Sequence, residues 1–112
     1  METKMTFAVL IHETKGHIEQ IELDIAPHKN EIFTIIGGTQ TFIGQWPDID
    51  VVILKAESST SLTNENKLPK PFEIEEVNGK ILLVRMDENS EHQDFTLDEY
   101  KLFSGWDERV TI

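Results

Sequence analysis

Asn78-Gly79-Lys80-Ile81-Leu82-Leu83-Val84-Arg85-Met86-Asp87 decides how this chain folds. Ile81 to Val84 are apolar without interruption and partly β-branched, so the run predicts a central strand. Asn78-Gly79 is the dipeptide that best closes a two-residue hairpin, because both of its positions accept positive φ. On this reading Phe72-Glu73-Ile74-Glu75 leads into the same sheet. Upstream, Phe7-Ala8-Val9-Leu10-Ile11 predicts a second buried strand. It is followed by a turn, Glu13-Thr14-Lys15-Gly16, and by Ile18, Ile21, Leu23 and Ile25. These two strands form a hairpin closed at Gly16. Thr39 to Trp46 and Ile49 to Leu54 read as two more strands around a Pro47-Asp48 turn.

Two short helices complete the pattern. Pro27 suits a first helical turn, where its missing N–H costs nothing. Ile32, Phe33, Ile35 and Ile36 then give an apolar helical face, and Gly37-Gly38 stops it. Thr96-Leu97-Asp98-Glu99 is a capping box, with Phe95 and Tyr100 as its hydrophobic staple. It predicts a helix from Leu97 to about Phe103, stopped by Gly105. Glu88 to Asp94 reads as a polar loop, and Arg109 to Ile112 as a strand or a frayed end. The sum is a single α+β domain over 1–112. Its sheet is mostly antiparallel, with about five to six strands and two short helices. Residues 56–71 form a long polar, proline-containing loop, which Leu68-Pro69-Lys70-Pro71-Phe72 stiffens toward polyproline geometry.

Composition excludes several classes. The chain has 112 residues with 38% hydrophobic and 28% charged, a globular mixture. It has no cysteine, so disulfides, thiol nucleophiles, zinc knuckles and iron–sulfur clusters are out. Ten Lys and Arg against 21 Asp and Glu give a net charge of −11. Neither half of the chain is basic, which argues against direct nucleic-acid binding. The acidity reads as a solvated surface, or as nucleic-acid mimicry aimed at a basic partner. No apolar run approaches a membrane span or a signal peptide, so the expectation is a soluble, cytoplasmic protein without membrane contact.

Candidate sites are few. His12 and His17 flank the first turn and, with Glu13, offer three donors to a metal. Adjacent strand positions point to opposite faces, however, which weakens the set and leaves an exposed hairpin tip as the alternative. Trp46, Phe72, Tyr100, Phe103 and Trp106 either rim a groove beside the long loop or fill the core. If Lys70 and Arg85 converge near Trp46 and Phe72, they make an anion site in which the cations pair the ligand and Trp46 stacks on it. Asp87 to Glu91 resembles the start of a calcium loop, but its sixth position is His92 where glycine is needed. The glycines at 37, 38 and 44 follow a helix and do not make a phosphate loop, and read instead as a helix cap and a strand bulge. No motif supports catalysis and no cofactor is expected.

Asn30-Glu31-Ile32-Phe33-Thr34-Ile35-Ile36-Gly37-Gly38, with Phe42-Ile43-Gly44-Gln45-Trp46-Pro47 and Asp50-Val51-Val52-Ile53, resembles small uncharacterised proteins of large DNA viruses of algae. So does Leu68-Pro69-Lys70-Pro71-Phe72 with Gly79 to Asp87 and Asp94 to Tyr100. More distantly, the order of elements is similar to a small phage domain of unknown function, which usually has acidic and glycine residues where this chain has Lys55 to Ser59. The resemblance spans most of 5–103 and implies a viral, intracellular setting, with no catalytic residues to carry over. Together these readings point to a non-catalytic module that binds a host or viral protein, as a monomer or homodimer. The alternative is a protein that sequesters a nucleotide-like anion.

Overall fold

The computed structural model describes residues 5–24, 29–57, 62–72, 74–89 and 91–105. In chain order the elements are β1 (Met5–Ile11), β2 (Ile18–Asp24), α1 (Glu31–Ile36), β3 (Gln40–Trp46), β4 (Val51–Ala56), β5 (Ile81–Met86), β6 (His92–Gln93) and α2 (Leu97–Ser104). The strands form one sheet in the order β2-β1-β5-β4-β3, with the short β6 also paired to β5. Every pairing is antiparallel. The α+β class and the antiparallel sheet are as the sequence predicts.

β5 is central because both of its faces are covered. Ile81, Leu82, Leu83 and Val84 are all buried. Ile81 and Leu83 join Val9, Ile11, Val51, Ile53 and Trp46 in one core layer. Leu82 and Val84 join Ala8, Leu10, Leu23, Leu54 and Ala56 in the other. The first layer is closed by Leu68 and Val77 from the long β4–β5 connection, by Phe95 just ahead of α2, and by Tyr100 of α2. The second is closed by α1 through Ile36, with Ile32 and Ile35 packed against it.

α1 begins at Glu31, behind the left-handed cap Asn30, and Gly37 caps its end at φ 82°. Pro27 and the C-terminal strand expected at Arg109 to Ile112 lie outside the described residues. Phe33, expected on the buried face of α1, is 50% exposed. A helix this short presents only a narrow stripe to the sheet, and Ile32, Ile35 and Ile36 fill it. α2 matches its expectation closely. Glu99 N–H donates to Thr96 Oγ1, Thr96 N–H donates to Glu99 Oε1, and Gly105 caps the end at φ 73°. Phe95 and Tyr100 meet edge to face at 6.4 Å as the staple.

Three expectations are corrected. Asn78-Gly79 does not close a hairpin into β5. Asn78 instead bridges Thr63, and Gly79 N–H donates to the Leu62 carbonyl. The described residues just before it, 74–77, form no strand, and Ile74 stands 85% exposed. Pro69 to Phe72 is a turn, with Phe72 N–H donating to the Pro69 carbonyl at 3.1 Å, and not an extended polyproline stretch. The reversal brings the Phe72 ring over Gly44. The polar loop after β5 contains β6, whose register sets Arg85 opposite Gln93 and Met86 opposite His92.

Candidate functional site

On the first core layer, the residues expected to bind an anion are used to hold the fold together. Trp46 is buried, and its Nε1–H donates to the Lys70 carbonyl at 3.0 Å. Phe72 meets it at 6.0 Å and Phe103 at 5.0 Å, and at 3% exposure the indole is closed to a stacking ligand. Arg85 pairs with Glu99 at 2.8 Å and donates to the Ile49 and Asp94 carbonyls, with its guanidinium over the Phe95 ring. The Glu99 carboxyl feels opposing influences. Burial pushes its pKa up, but the hydrogen bonds from Arg85 and Thr96 leave it below its ordinary value. Lys70 is exposed and contributes its main chain, through the carbonyl that Trp46 bonds. The structure therefore does not assemble Lys70, Arg85, Trp46 and Phe72 into an anion pocket. Tyr100 is core as well, and burial raises its hydroxyl pKa to about 12. Trp106 lies outside the described residues.

The second core layer is covered only in part. α1 reaches one end of it. Toward the other end, β3, β4 and β5 leave an open groove of about 420 Å³. Ile32, Phe42, Val52, Leu54, Val84 and Met86 give it an apolar lining. Phe42 is there because of a bulge. Phe42 pairs with Leu54 and Gly44 with Ile53, leaving Ile43 as the extra residue. Positions two apart normally share a face. The bulge separates them, sending Phe42 to the groove, where it stays 58% exposed, and Gly44 and Trp46 to the opposite core.

Val52 and Met86 also line a second depression with Gln45, Pro47, Asp50, Asp87 and Glu88. The apolar groove thus runs on into a carboxylate-bearing end. Asp50 and Glu88 are exposed, and among the described residues no ion pair engages Asp50, Asp87 or Glu88. Asp87 accepts from the Glu91 and Asn89 N–H groups and from the Gln93 amide. The Glu91 contact is the main reason its carboxyl sits below its ordinary pKa, so it stays charged. His92 lines the groove opposite Met86, and its Nδ1 is enclosed without a hydrogen-bond partner. Burial lowers its pKa from 6.5 and keeps the ring neutral at pH 7. Sequence reading missed this groove. Its signal, an exposed Phe42 on an edge strand, depends on a bulge that the residue pattern does not date to Ile43.

The model of a family of unknown function, DUF5880, matches residues 9–103. No curated protein and no solved structure matches the chain. Among the described residues no helix is long and apolar enough to cross a membrane.

Proposed function

We propose that this chain, which belongs to the DUF5880 family of unknown function, is a non-catalytic interaction module. Its groove takes a segment of a protein partner that carries apolar side chains followed by Lys or Arg. One observation carries the reading, namely the continuity of the apolar lining with the end bearing Asp50, Asp87 and Glu88 through the shared Val52 and Met86. Apolar side chains gain by leaving water in the groove, and charge complementarity sets direction and register. The net charge of −11 also steers a basic partner toward the surface. A second copy of the chain fits less well, because it brings the same negative charge. A nucleotide-like anion meets carboxylates in this groove, and Arg85 is already engaged by Glu99. The viral setting implied by the sequence resemblance makes a host or viral protein the natural source of the segment.

Selection of a displayed random-peptide library on the pure protein tests this. The expected result is enrichment of peptides with apolar residues followed by Lys or Arg. Their binding should fall at least about tenfold in the Asp50→Asn/Glu88→Lys double variant, since each lost 1.4 kcal/mol is a factor of ten. No enrichment, or enriched peptides indifferent to the double variant, would overturn the proposal. Self-association of the protein that disappears with Phe42→Ser would overturn it too, by giving the groove to a second copy.

A further inference from the structure

The hairpin tip at the far end of β1 and β2 holds a second constellation, built from different residues. β1 and β2 pair in a register that ends at Ile11 opposite Ile18, and His12 N–H then donates to the His17 carbonyl at 2.9 Å. His12 and His17 therefore stand directly across from each other, and their rings stack at 3.8 Å. Glu19 lies two positions beyond His17, so its side chain rises from the same face. Its Oε2 meets His12 Nε2 at 2.5 Å. Glu13 neighbours His12 along the chain and leans away to Lys80 at 3.9 Å. The carboxylate that joins the two histidines is thus Glu19 and not the Glu13 expected from proximity in sequence.

The geometry points to a binding site for a divalent first-row transition metal, zinc in the first instance, formed by His12, His17 and Glu19. One donor atom from each residue lies within 4.8 Å of the others. On a tetrahedral ion with bonds of about 2.0–2.2 Å, neighbouring donors sit about 3.3–3.6 Å apart. The His12–Glu19 contact has to open by about 1 Å and the stacked rings have to fan apart, movements open to the broad terminal torsions of these side chains. Two imidazole nitrogens and one carboxylate suit zinc and its neighbours, whereas calcium and magnesium want oxygen alone. Three protein donors leave a fourth position for water.

The tip is held in place for this. Asn66 Nδ2 donates to the His12 and Thr14 carbonyls, at 2.8 and 3.0 Å, and its Oδ1 accepts from Gly16 N–H at 2.8 Å. Glu65 N–H donates to the Glu13 carbonyl, and the Glu65 carboxylate accepts from Lys15 N–H. Asn64 adds a bond to the Ile11 carbonyl. The long loop therefore fixes the backbone that carries both histidines, and an ion bound there needs little further ordering.

Thermal unfolding of the chelator-stripped protein with zinc chloride is the test. Zinc at about a hundred times its dissociation constant should raise Tm by roughly 10 °C. Magnesium and calcium at equal concentration should not. His17→Gln and Glu19→Gln, both exposed positions, should fold as the parent does and lose the shift, while Glu13→Gln should keep it. Cobalt(II) should give the visible absorption of a tetrahedral site in the parent and in Glu13→Gln alone. A zinc shift that survives His17→Gln and Glu19→Gln, or no shift in the parent, would overturn the inference.

Discussion

At Gly44 a Cβ would stand 2.3 Å from the Phe72 ring, a distance that no side-chain carbon tolerates. The glycine lets the far end of the ring reach β3 beside Trp46, so the requirement comes from a residue far away in sequence. Gly44→Ala should therefore destabilise the protein by about 1–3 kcal/mol, as overpacking does, read as a lower urea midpoint. An unchanged midpoint would mean that Phe72 does not close this layer. The sequence identified the bulge near Gly44 but gave no hint of Phe72 above it. Residue-level pattern reports which positions are apolar, and reports poorly which apolar positions meet. His92 supplies a second test. Its folded pKa lies below the unfolded 6.5, so the unfolded chain takes up the proton first as pH falls. The stability tied to its neutral form is intact above pH 6.5 and is lost as pH drops toward the folded value. His92→Gln should narrow the Tm difference between pH 7 and pH 5, while an unaltered difference would show that His92 is not held neutral by the groove wall.

Among the elements, those governed by neighbours along the chain were the legible ones. The box of Thr96 and Glu99 with its Phe95 and Tyr100 staple is complete within six positions of sequence, and α2 begins and ends as that pattern requires. The β1–β2 hairpin was equally plain. The 62–66 segment was not, because its purpose lies in groups some fifty positions away. Its polar residues look like a solvated excursion, yet Asn64, Glu65 and Asn66 replace water as partners for the tip of the first hairpin. Asn66→Ala removes three of those bonds at a half-exposed site. The expected cost is about 1–2 kcal/mol, with faster hydrogen exchange at the Gly16 amide. Unchanged exchange at Gly16 would mean the tip keeps its shape without the loop. The strand pairing promised by Asn78-Gly79 failed for the complementary reason. Gly79 does take a positive φ of 87°, but a turn makes a hairpin only when strands flank it on both sides.

For the whole molecule, the fold class and the central place of β5 followed from the continuous apolar run at 81–84. The candidate sites did not follow, because they depend on which face each side chain joins. Arg85 and Trp46 share the face that α2 and the long loop close, and Phe42, Val52 and Met86 share the face that α1 leaves partly open. The proposed docking of a basic-flanked apolar segment rests on that asymmetry together with the surplus of acid. The most direct measurement is an amide chemical-shift map of the labelled protein titrated with a peptide from the library selection. Shifts concentrated at Phe42, Val52, Met86 and Glu88 are expected, weakening as salt screens the carboxylate end. Shifts confined to α2 and the β1–β2 edge, or none at saturating peptide, would contradict the proposed docking.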